Sequence, residues 1–66
     1  MSVAKTTEII ASSPVSFEDA IRVGIDRATK TLDGVKGAWV SSQKVMIEDN
    51  RITAYRVTLK VTFILR

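Results

Sequence analysis

The residues able to do chemistry in this 66-residue chain are few, and what is missing narrows the field first. There is no histidine and no cysteine, so imidazole or thiolate catalysis and a zinc centre have no ligands or nucleophiles to start from. Ser41 and Ser42 are adjacent hydroxyls with no base near them in sequence, and no pair of groups is spaced as a general acid and base. The sequence therefore predicts a binding or structural protein and not an enzyme. Glu48 and Asp49 are neighbouring carboxylates of the kind a hard cation such as calcium takes, but calcium wants about six to eight oxygens. No Asp-x-Asp-x-Asp-Gly loop accompanies them, so they read as a solvated turn unless symmetry brings copies together. Two residues can meet a flat or anionic ligand. Trp39 is the single tryptophan, and Arg56 carries a planar cation that stacks on rings or grips phosphate.

The net charge is +3, with Lys and Arg scattered from Lys5 to Arg66 and no two adjacent. A nucleic-acid surface needs them clustered, so a solvated surface is expected and no nucleic-acid partner. No apolar run approaches the roughly 20 residues that cross a bilayer. Lys5 and Glu8 interrupt the N-terminal segment where a signal peptide would need continuous apolar residues. No membrane partner is expected, and the default location is cytoplasmic.

The elements that must position Trp39 and Arg56 come from two periodicities. Phe17, Ala20, Ile21, Gly24, Ile25, Ala28 and Leu32 recur at intervals of three and four, one stripe of an amphipathic helix. Arg22, Asp26, Arg27 and Lys30 take its other side. Ser16 with Asp19 three residues on is a capping-box pattern, flanked by Val15 and Ala20 as a staple, and Gly34 supplies the stop. The spacing predicts a helix over about Ser16 to Asp33.

From Ile52 to Arg66 the period is two. Thr53, Tyr55, Val57, Leu59, Val61, Phe63 and Leu65 alternate with Ala54, Arg56, Thr58, Lys60, Thr62 and Ile64, a long strand with one apolar face. Glu48-Asp49-Asn50-Arg51 reads as a hairpin turn, so about Ala38 to Ile47 should be its antiparallel partner. Simple alternation there puts Trp39, Ser41, Gln43, Val45 and Ile47 on one face. Residues Ala4 to Ser12 form a first, shorter strand. The fold class is α+β: one domain over residues 1–66, ordered β-α-β-β, with a three-stranded antiparallel sheet partly wrapped around one helix.

A monomer this small hides only about 60% of its extended surface, yet 45% of its residues are hydrophobic. No disulfide or zinc is available to staple it. The closing strand, about 14 residues at about 3.4 Å each, outreaches the roughly 27 Å of the helix. Copies of the same chain must cover the overhang and the bare strand edges.

The chain resembles the dodecin family along nearly its whole length. The resemblance rests on Ser12-Ser13-Pro14-Val15-Ser16 leading into the helix, on Ala20, Ile21, Ala28, Thr31 and Leu32 within it, and on Tyr55 to Phe63 as the closing strand. The interval from Thr31-Leu32 to Tyr55 matches without a gap. The resemblance implies a homododecamer, a hollow sphere of 23 symmetry, that in many members binds and stores flavins (riboflavin, FMN or FAD) as stacked pairs; some relatives bind calcium instead. It also implies where a flavin would lie, between a tryptophan early in the second strand and a glutamine after the closing-strand tyrosine. Those positions here are Gly37 and Arg56. Glycine cannot stack, and the chain resembles a branch without that tryptophan. Trp39, two residues on, shares the face of Gly37 about 7 Å away. It either meets an aromatic ligand there or fills an interface between copies. Arg56 likewise either contacts ligand or pairs with a neighbouring copy's carboxylate. The expected ligand contacts are Trp39, Arg56, Gly37 and Gln43.

Overall fold

The computed structural model describes residues 3–65, which form β1 (Ala4–Ser13), α1 (Phe17–Ala28), β2 (Val35–Glu48) and β3 (Arg51–Ile64). The expected order and class are those observed. The sheet order is β1-β3-β2, antiparallel throughout, so the most regularly alternating strand is the central one. Arg66, expected in that strand, lies outside the described residues, and β3 stops at Ile64.

Ser16, in extended conformation, caps α1 by accepting from the Asp19 N–H at 3.0 Å. The return half of the expected box is replaced. Asp19 turns its carboxylate to the buried Ser13 hydroxyl (2.6 Å) and to Arg22 (2.6 Å). Both hold its carboxyl below the usual carboxylate range, Ser13 foremost. Val15 is 68% exposed, so no staple forms. The helix also ends five residues before Asp33. Thr29 and Thr31 donate their hydroxyls to the Asp26 and Ala28 carbonyls, and the Thr31 and Leu32 N–H groups fold back onto Ala28. Threonine bonds of this kind compete with helix continuation. Gly34 does adopt the expected positive φ, +72°, but as the pivot into β2, with its carbonyl accepting from Ile64. The strand consequently starts at Val35, three residues earlier than alternation suggested.

One face of the sheet packs on α1. Val57, Leu59 and Val61 of β3 are fully buried with Ala20, and Ile9, Ala11, Phe17, Ile21, Ile25, Leu32, Val35 and Val40 pack round them. Gly24 lets the helix approach, because a Cβ there would lie 3.0 Å from both Ala11 and Leu59. Phe17 meets Tyr55 edge-on at 5.2 Å between ring centroids. The overhang is real. The molecule is 51 Å long, while twelve helical residues span only about 18 Å. Ile47 and Ile52, register partners near the hairpin tip, stay 61% and 53% exposed. Asp49 and Asn50 make the tight turn with positive φ (51° and 63°), the two-residue geometry that suits strand twist.

Candidate functional site

The second face of the sheet has no helix over it, and register fixes which side chains stand there. Antiparallel partners project to the same face. Starting from Arg56, which alternates with the buried Val57, the rows across β1, β3 and β2 are Ser12–Arg56–Lys44, Ile10–Thr58–Ser42, Glu8–Lys60–Trp39 and Thr6–Thr62–Gly37. Trp39 and Gly37 share a face, as alternation along β2 predicts, and the register adds Arg56 to it.

Gln43 does not join them. A β-bulge between Val40 and Ser42 leaves Ser41 without a register partner, its hydroxyl donating to the Thr58 carbonyl at 3.2 Å. One extra residue inverts the side chains after it, here as far as Met46, where a second register shift restores the parity for Ile47. Gln43 therefore pairs with Val57 on the helix side, and Lys44, which alternation assigned to the other face, comes round beside Arg56. Lys44 is the residue that sequence reasoning missed. A polar serine pair at residues 41 and 42 inside an otherwise alternating strand is the only hint of the bulge in the sequence.

Arg56 is held by its Nε, which donates to Ser12 Oγ at 3.1 Å. Among the described residues the rest of the guanidinium and the Lys44 ammonium have no side-chain hydrogen-bond partner. Ile10, Ser42, Lys44, Arg56 and Thr58 line a hollow there of about 200 Å³. Among the described residues the ion pairs are those of Arg22 with Asp19 and Asp26, so neither Lys44 nor Arg56 has a carboxylate within 4.0 Å. Two rows away, Trp39 is 65% exposed with the Lys60 ammonium 5.0 Å from its ring centroid. Gly37 contributes open space, since a Cβ built on it meets nothing within 4 Å. The face thus offers an aromatic platform, an open position beside it and a pair of cations about 14 Å along the strand, four residues of about 3.4 Å each. Among the described residues no group of three or more carboxylates is placed to hold a metal ion, and no helix is long and apolar enough to cross a membrane.

Comparison with known proteins places the chain and its fold. A family model described as Dodecin matches residues 3–66. The calcium dodecin of Mycobacterium tuberculosis is 35% identical over all 66 residues, covering 93% of that protein. Among solved structures, the dodecin from Streptomyces davaonensis superposes with a TM-score of 0.94 at 34% identity, covering 98% of this chain and 96% of that one. A variant of the Thermus thermophilus dodecin gives 0.94 at 30% identity, covering 100% and 98%. The structure of the Mycobacterium tuberculosis protein, described as a calcium-chelating antigen with a novel calcium-binding site, gives 0.84 at 34%, covering 97% and 91%.

Proposed function

Given that the chain belongs to the dodecin family, we propose that it assembles into a hollow homododecamer that binds and buffers a small aromatic, phosphate-bearing ligand such as a flavin nucleotide. Assembly is supported by the apolar surface that one copy leaves open. Ile10, Val15, Trp39, Ile47 and Ile52 are all more than half exposed, and both outer strands present free edges. Storage and not turnover fits a chain with neither histidine nor cysteine.

The observation that carries the ligand reading is the layout of the helix-free face. The exposed Trp39 ring supplies a stacking surface, and Lys44 with Arg56, neither paired with a carboxylate among the described residues, supplies two cations on the same side of the sheet. Charge-assisted bonds from a guanidinium suit phosphate oxygens. With glycine at position 37, the platform is displaced toward Trp39. Titrating FMN with the purified full chain tests this: flavin fluorescence should be quenched as the protein is added. Emission unchanged up to high micromolar protein rejects the flavin version.

The name of the calcium dodecin relative favours a second reading, a cation held by Glu48 and Asp49 from several copies meeting at an axis. Calorimetric titration of calcium into the metal-free protein separates the two. Heat lost on replacing Glu48 and Asp49 by Gln and Asn would support it, and absence of heat would end it.

A further inference from the structure

We propose that Lys60 makes the Trp39 platform selective for anionic aromatic ligands, acting as the specificity-determining residue of the ligand face. This rests on the ligand reading given above, which by itself assigns Lys60 nothing.

Lys60 stands on the central strand with a choice of partners in its own row, Glu8 on one side and Trp39 on the other. Its ammonium lies 5.0 Å from the Trp39 ring centroid. The Glu8 carboxylate is beyond the 4.0 Å of an ion pair. A cation over an indole face is attracted by the ring quadrupole. It also closes that face to a second ring. With Trp39 still 65% exposed, a ligand must stack on the remaining face or displace the ammonium toward Glu8. On the first route a positive charge stays beside the bound ring, favouring a ligand that carries negative charge near its aromatic system and opposing a cationic one; on the second the ammonium is neutralised by Glu8 and the cation–π contact is lost, so stacking on the remaining face is the route that carries the preference.

Distance decides which cation sets this preference. The Debye length at physiological salt is about 8 Å. Arg56, four residues along β3, is about 14 Å from Lys60 by strand rise, so it is largely screened at the ring, whereas Lys60 lies well within that length. Lys44 and Arg56 can hold a distant phosphate, but the charge at the platform belongs to Lys60.

The chain has one tryptophan, so its fluorescence reports this position alone. In the purified oligomer, quenching by the anion iodide and by neutral acrylamide is compared between the native protein and Lys60→Met, which keeps the alkyl stem, with Lys60→Arg as the charge-conserving control. Lys60→Met should lower the iodide-to-acrylamide ratio of quenching constants about two- to fourfold, the change that one unit charge 5.0 Å away makes to the local iodide concentration with and without salt screening, and Lys60→Arg should preserve it. A ratio unmoved by Lys60→Met, or a Trp39 unreachable by both quenchers, overturns the proposal. A second arm uses two probes whose charge sits at the ring itself, naphthalene-1-sulfonate and 1-naphthylmethylammonium. Lys60→Met should shrink the preference for the sulfonate by a similar factor, and an unchanged preference counts against the proposal. If FMN does not bind, the flavin reading fails while the quenching arm still decides the role of Lys60.

Discussion

Lys44 and Arg56 are cross-strand partners on the helix-free face, two cations side by side with no carboxylate within 4.0 Å among the described residues. Like charges directly opposite on a sheet cost stability. A free chain that tolerates this juxtaposition gains on meeting an anion that spans both groups. Lys44→Glu should therefore stabilise the ligand-free protein by about 0.2–1 kcal/mol at low salt while weakening FMN binding. Urea unfolding and flavin titration on the same variant check both; a variant that binds FMN as well as the native protein would remove Lys44 from the site.

Trp39 tests the division between ligand and interface. Trp39→Ala should cost about 1–3 kcal/mol of ligand affinity, the range for stacking of a base on an aromatic side chain, with the oligomer intact by light scattering. Dissociation would instead assign the ring to a contact between copies. Gln43→Ala serves as the control on the opposite face and should leave FMN affinity unchanged, because Gln43 pairs with Val57 and not with the Trp39 row.

The helix-facing layer is thin, so its centre is sensitive. Leu59 is fully buried, and Leu59→Ala should destabilise by about 2–5 kcal/mol. Gly24→Leu should cost about 1–3 kcal/mol by overpacking, since even a Cβ at that site would lie 3.0 Å from Ala11 and Leu59. Thermal unfolding of both variants at equal chain concentration measures this, and native-like stability in Gly24→Leu would mean the helix can lift from β1.

Asp19 ties the β1–α1 corner to pH. Its carboxyl is held below its ordinary value of 3.8 by the Ser13 hydroxyl and then by Arg22. A carboxylate with a lowered folded-state pKa contributes stability that is complete above its unfolded value and lost as pH falls through the folded one. The native protein should therefore lose stability below about pH 4 more steeply than Asp19→Asn. Equal acid sensitivity of the two in denaturant midpoints would show that Asp19 does not anchor the corner.

The sequence determined by itself what depends on short-range pattern. Repeats of three and four from Phe17 to Ala28 and the strict alternation through Val57, Leu59 and Val61 fix a helix and a strand, because each periodicity puts apolar groups on one side of its own backbone. The positive φ of Gly34 was legible too, since glycine adopts it without strain. What followed the helix was not, because Thr29 and Thr31 hold helix-compatible positions until their hydroxyls find carbonyls. The helix-free face was half legible. Gly37 and Trp39 share it by counting along β2, but the place of Arg56 beside them came from the register and Lys44 in place of Gln43 from the bulge at Ser41. A bulge exists only when two strands are paired, so the parity of β2 against β3 is a property of the sheet, and no periodicity within a single strand contains it.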